Sequence, residues 1–198
     1  MIRKGIKKDL LGKMYYRDKK SMQEIASDLN CSLHKVSYWM EKYCLNARPR
    51  SEAMYIKHNP AGDPFIFRPP ETTREAELFG LGLGLYWGEG TKADKNSIRL
   101  GNTDPNLIKR FIEFLIKVFQ IDEKDLKFGL QIFSDINPEK AMDFWSKTLR
   151  ISKVQFNKPI VTKSGSIGTY RKKSEYGVLT VMYHNKKLRN LLISLLPM

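Results

Sequence analysis

Apolar side chains recur at helical and strand intervals along the chain, and those intervals predict its elements. In DLLGKMYY (Asp9 to Tyr16), Leu10, Leu11, Met14 and Tyr15 share one side of a helix. After the polar break RDKK, Ser21 and Glu24 have capping-box spacing, and Ile25, Ala26 and Leu29 form the buried stripe of a second helix. Asn30 tolerates the left-handed conformation a tight turn requires. Ser32 then caps a third helix, LHKVSYWMEKYC, with Val36, Trp39, Met40 and Tyr43 inward. The stretch NARPRSE follows as an extended, proline-containing arm carrying Arg48 and Arg50.

Residues 55–73, YIKHNPAGDPFIFRPPETT, hold four prolines and one glycine and read as a partly extended connector, with Phe65, Ile66 and Phe67 docking on a neighbouring surface. Thr72 and Glu75 again have capping-box spacing, so a helix opens near Arg74 and runs through LFGLGLGLYWGEG. Beyond it, SIRLGN reads as a strand and TDPNLIKRFIEFLIKVF as a helix capped by Thr103, with Pro105 in its first turn. LKFGLQIFS alternates as a strand, and NPEKAMDFWSKTL is amphipathic with Ala141, Phe144, Trp145 and Leu149 inward. YGVLTVMYH is a last strand, and NKKLRNLLISLL a closing helix capped by Asn185. The fold class is α+β, in three parts: a helical domain at 1–54, the linker at 55–73, and an α/β domain at 74–198.

Charge changes the picture most. The net charge is +14. Residues 1–54 hold 12 Lys/Arg against 6 Asp/Glu, residues 55–149 hold 13 against 14, and residues 150–198 hold 10 against 1. Two basic blocks around a neutral centre point to two surfaces that meet a polyanion. Neither block reads as a long amphipathic helix, which disfavours a membrane surface as the partner. The apolar stretch from Leu78 to Trp87 is about half the ~20 residues a bilayer span needs. Two cysteines, Cys31 and Cys44, make no disulfide framework, so a reducing, cytoplasmic setting is expected. Cys31 and His34 have a zinc-compatible spacing, but no second pair follows.

On the third helix Leu33, His34, Lys35, Ser37, Tyr38 and Lys42 are left facing outward, starting at the helix N-terminus. Ser, His and Lys contact base edges or phosphates, and arms like that of Arg48 and Arg50 contact phosphates or lie in a minor groove. The stretch resembles the homeodomain-like helix-turn-helix modules of resolvases and many mobile-element proteins, which implies double-stranded DNA as the partner. In the other basic block, Lys163, Arg171, Lys172 and Lys173 on a Gly/Ser-rich hairpin suit phosphate tracking.

The glycines of residues 78–90 need a separate reason. Gly80, Gly84 and Gly88 fall at i, i+4 and i+8, a ridge without side chains, at about 1 kcal/mol of helix propensity each. Such a ridge lets two helix backbones approach closer than the usual 8–10 Å. The run therefore calls for a like helix against it, with Glu89 at the bottom of the crossing, so two copies place two carboxylates side by side.

This layout resembles the LAGLIDADG motif. On GLGLYWGEG the motif's glycine falls on Gly84, its leucine on Leu85, its small residue on Gly88, its terminal acid on Glu89 and its last glycine on Gly90. Trp87 stands where the motif usually has its first aspartate, and Gly82 replaces a leucine. The resemblance implies an αββαββα unit whose curved antiparallel sheet straddles DNA, and a single motif copy implies a homodimer. Two functions are compatible with it. One is a dimeric DNA-binding regulator or accessory factor; the other is a homing-type endonuclease in which Glu89 holds Mg²⁺, with Lys92, Lys158 or Gln131 as helper near the phosphate. RNA is a less expected partner.

Overall fold

Two Ser/Thr-x-x-Glu boxes set helix starts here as the spacing predicts. Ser21 Oγ accepts from the Glu24 amide (3.2 Å) while the Ser21 amide donates to the Glu24 carboxylate (2.7 Å). Thr72 and Glu75 make the same reciprocal pair (3.2 and 3.0 Å). The computed structural model describes residues 5–164 and 174–197, and the chain divides into two compact units, Met1–Pro64 and Phe65–Met198.

In the first unit, α1 (Lys8–Gly12) continues through a wider π-type turn at Lys13–Arg17, and α2 (Met22–Asp28) and α3 (Leu33–Lys42) follow. Leu11, Met14, Tyr15, Ile25, Ala26, Val36 and Met40 form the core, joined by Ile6. Asn30 has φ 45°, in the left-handed region expected of it, and the Cys31 amide donates to the Ala26 carbonyl (2.9 Å), closing the turn between α2 and α3.

The arm after α3 is short: Pro49 is extended (φ -54°, ψ 145°), but the chain is helical from Arg50. Arg48 folds back onto the first helix: its guanidinium donates to the Lys19 and Lys20 carbonyls (3.0 and 2.9 Å) and to that of Tyr15. It also lies 4.1 Å from the Tyr15 ring centroid, whose hydroxyl accepts from the Arg48 amide (2.7 Å). Arg50 opens a further helix, α4 (Arg50–His58), behind Pro49. That helix overrides the reading of residues 55–58 as connector, because the helix breakers begin only at Pro60. Proline is tolerated just ahead of a helix.

The second unit begins with a strap. The Ile66 and Arg68 amides donate to the Phe119 and Val118 carbonyls (2.9 and 2.8 Å). Phe65 and Phe67 pack on the core, with Phe67 stacked on Phe119, while Ile66 points outward, as alternation along an extended segment requires. Next come α5 (Thr73–Glu89), β1 (Ile98–Asn102), α6 (Pro105–Phe119), β2 (Lys127–Phe133), α7 (Pro138–Leu149), β3 (Ile160–Thr162), β4 (Val178–Tyr183) and α8 (Lys186–Ser194). Asp104, not Thr103, caps α6, accepting from the Asn106 amide (2.8 Å). With Pro105 at the first helical position, the residue just before it is the cap.

The fold is mixed α and β. Its four strands run in the order β1-β4-β2-β3. The β1–β4 and β4–β2 pairs are antiparallel, but β2–β3 is parallel, so the sheet is mixed rather than antiparallel throughout. β3 and β4 flank β2 on opposite sides, so the two are not paired with each other, and the run between them expected as a hairpin lies largely outside the described residues. Alternation fixes which face is buried: Ile98, Leu100, Phe128, Leu130, Ile132, Leu179 and Val181 join one core with Ile108, Phe111, Phe114 and Leu115 of α6.

Candidate nucleic-acid interface

The outward face of α3 is built by what its inward face consumes. Val36 and Met40 are buried in the helical core, and Trp39 and Tyr43 pack against it. At about 100° per residue, His34, Ser37, Tyr38 and Lys42 are turned out, and all four are exposed; Leu33 borders the inward stripe but is exposed at the first residue of the helix, and Lys35 is half-buried. Ser32 Oγ accepts from the Lys35 amide (3.2 Å), so one free N–H of the first turn is used and the axis is fixed at the end that carries Leu33 and His34. The Lys42 ammonium sits 4.7 Å from the Trp39 ring centroid and 5.7 Å from that of Tyr38. Glu41 is exposed on the same side and had not been included in the face. A carboxylate there accepts from a cytosine amino group or repels phosphate.

The two arginines of the arm separate. Arg48 is bound within its own unit, whereas Arg50 is exposed at the start of α4. Lys163 is exposed just after β3; Arg171, Lys172 and Lys173 lie outside the described residues.

On α5 the glycines fall into two classes. A Cβ at Gly82 would sit 2.1 Å from Phe114 Cγ, and one at Gly90 would sit 2.4 Å from the Tyr86 carbonyl oxygen. These two are demanded by packing inside the unit, where α5 crosses α6 and where the chain leaves the helix. At Gly80, Gly84 and Gly88 a Cβ would meet nothing within 4 Å. The ridge is open, and Leu81 (46% exposed) and Trp87 (52%) stand beside it. Nothing within the described residues of the unit accounts for the lost helix propensity of those three positions.

Glu89 is the last residue of α5, exposed, with no hydrogen bond or ion pair to the described residues. A carboxylate there stands at the negative end of the helix dipole, the unfavourable end. Lys92 does not stand free beside it: its ammonium donates to the Trp87 carbonyl in the last turn and lies 5.9 Å from the Tyr86 ring centroid. Its own carbonyl accepts from the Arg189 guanidinium (2.7 Å), which also donates to the Asp94 carbonyl (3.1 Å). Lys158 is exposed ahead of β3, and Gln131 is exposed in the middle of β2. Among the described residues, no three His, Cys, Asp or Glu side chains converge to hold a metal ion, and no helix is long and apolar enough to cross a membrane.

The sheet face turned away from the core carries cations that the strand assignments alone had not brought together. Arg99, Met182 and Lys127 are register neighbours across β1, β4 and β2; Gly101, Thr180 and Gly129 form the next row; Val178, Gln131 and Ile160 the third. Arg99 is tied to Asp94 (2.9 Å), leaving Lys127 at the exposed end of its row. Once strand order is known, period-two alternation finds them; without it, the rows are not visible. The chain matches no protein-family model, no curated protein and no solved structure.

Proposed function

We propose that the protein binds double-stranded DNA as a homodimer. In this reading α3 is the recognition helix of a helix-turn-helix, and residues 74–198 are a LAGLIDADG-like unit that pairs through Gly80, Gly84 and Gly88 and turns the sheet face of Arg99 and Lys127 to the duplex. One observation carries it: an open glycine ridge on α5, flanked by exposed Leu81 and Trp87, in a chain of net charge +14. Helical glycine exposed to water gains nothing, and exposed apolar neighbours add to that cost. A second copy of α5 removes both. Light scattering without DNA should give a dimer. Anisotropy titrations should give one dimer per duplex, with affinity falling steeply with salt. A monomer that binds one per duplex would reduce the ridge to a surface feature.

A second reading is a Mg²⁺-dependent endonuclease, favoured by the unpaired Glu89 at the unfavourable end of its helix. One chain offers one carboxylate there, and Mg²⁺ takes six oxygen ligands, so one chain's residues do not fit the ion by themselves. The cleavage reading therefore stands or falls with pairing. Incubating a selected duplex with the dimer in Mg²⁺ or in EDTA separates the two: the binding reading expects intact strands in both, the endonuclease reading nicks in Mg²⁺ alone.

A further inference from the structure

The outward face of α3 has an order that solvation does not require. Going round the first two turns of the helix at about 100° per residue, Leu33, Ser37, His34 and Tyr38 follow one another: an apolar residue, two hydrogen-bonding residues, then an aromatic one. Glu41 falls between Ser37 and His34 a turn further along. Leu33 is 45% exposed and Tyr38 50%. One exposed apolar residue needs no explanation; two that bracket a polar pair, at the end of the helix nearest the turn, form a pattern. Neither is among the residues that form or pack on the core of its unit; Tyr38 lies opposite Val36 and Met40, whereas Leu33 borders their stripe at the first residue of the helix. The Tyr38 ring is also held in place, edge-on to Trp39 with centroids 5.5 Å apart, and Lys42 reaches over it.

In the major groove the base edges offer hydrogen-bond donors and acceptors everywhere except at one group, the thymine C5-methyl. We propose that Leu33 and Tyr38 each seat against a thymine methyl, on either side of the bases that Ser37 and His34 contact through hydrogen bonds. The preferred site then carries thymine at two positions bracketing a polar-read centre. This rests on α3 being the DNA-reading helix, and it adds the chemical identity of the bases read.

The test uses the full-length protein. A duplex is first selected from a random pool. Each thymine of the enriched site is then replaced in turn by uracil, which keeps Watson–Crick pairing and removes only the methyl. At two positions the wild-type protein should lose about fourfold in affinity, the worth of one methyl-sized group buried. Leu33→Ala should abolish the thymine–uracil difference at one of them, and Tyr38→Ala at the other. Both positions are exposed, and the uracil series on wild-type protein needs no variant to fold. An enriched site in which every thymine can be replaced without loss overturns the methyl reading and leaves DNA recognition by α3 standing. A pool that yields no enriched sequence overturns both.

Discussion

Arg48 shows how a single side chain changes meaning once its surroundings are known. An arginine in an NARPR stretch reads as a phosphate contact, yet three backbone carbonyls and the Tyr15 ring take up this guanidinium. Hydrogen bonds from a charged group contribute about 1.5–3 kcal/mol each when buried, less when half-exposed as here. Arg48→Ala should therefore destabilise the helical unit by about 2 kcal/mol, visible as a lower denaturation midpoint of that unit when Trp39 is followed with Trp87 and Trp145 replaced by Phe. Arg48→Lys should recover little, because a point charge cannot serve carbonyls that a planar fork reaches together. If Arg48→Ala instead weakened DNA binding with the midpoint unchanged, the arginine would be a DNA contact after all. His34→Ala carries the opposite expectation: unchanged stability, and relaxed preference among duplexes.

At the scale of the element, α5 contains its own control. Gly82→Ala drives a methyl into the Phe114 ring and should cost about 1–3 kcal/mol of stability. Gly84→Ala meets open space and should raise the stability of an isolated chain by up to about 1 kcal/mol. The same substitution should weaken the dimer, and Gly84→Leu should yield monomer. Analytical ultracentrifugation alongside thermal melts distinguishes the two classes; a Gly84→Leu protein that remains dimeric would move the interface elsewhere.

The two capping boxes give a pH prediction. Glu24 is held below the usual carboxylate range, first by the Ser21 amide and then by the Ser21 side chain. Glu75 is lowered by the amides of Glu71 and Thr72. A carboxyl depressed in the folded state stabilises it above the unfolded value of about 4.3, and that support disappears as pH falls through the folded value. Because Gln still caps but does not titrate, Glu24→Gln with Glu75→Gln should flatten the fall of Tm below about pH 4.5. Matching acid limbs for wild type and the double variant would mean that other carboxylates dominate.

The elements were legible from local chemistry: Ser21, Ser32, Thr72 and Asn185 each cap where their spacing predicts, and Asn30 turns left-handed. What local chemistry does not encode is which strand neighbours which. The Gly/Ser-rich run ahead of Val178 reads as a hairpin, yet β3, which the sequence pattern did not mark as a strand, pairs in parallel with β2; with Ile160 and Val161 exposed, no buried face announces that pairing. The candidate site was legible to the same extent. The face of α3 follows from one helix period, whereas the row of Arg99 and Lys127 exists only through sheet order. The capture of Arg48 depends on a contact thirty residues back along the chain.

For the whole molecule, the separation of roles is the testable property. Side chains on α3 should set base preference, while cations of the second unit set affinity on any duplex. Lys172→Ala and Lys127→Ala should each weaken binding to selected and random DNA alike and flatten the log–log salt slope by about one unit. Equal losses of specificity from His34→Ala and Lys172→Ala would dissolve that separation.

The sheet order has a last consequence, for the time at which the protein becomes a protein. β1 and β2 touch each other nowhere; each is paired through β4, which is the final strand in the chain. During synthesis, β1 and β2 must leave the ribosome and wait, the ladder groups on their β4-facing edges unpaired, until Val178–Tyr183 arrives between them. Closure over such a separation is slow, and unpaired strands in waiting are prone to stick to other chains. A chain stopped before Val178 should therefore emerge with its sheet split, β1 unpaired from β2 and β3, and aggregate. Supplying the missing C-terminal segment as a separate peptide should recover it, since β4 arrives as an insert between strands and not as the continuation of a growing edge.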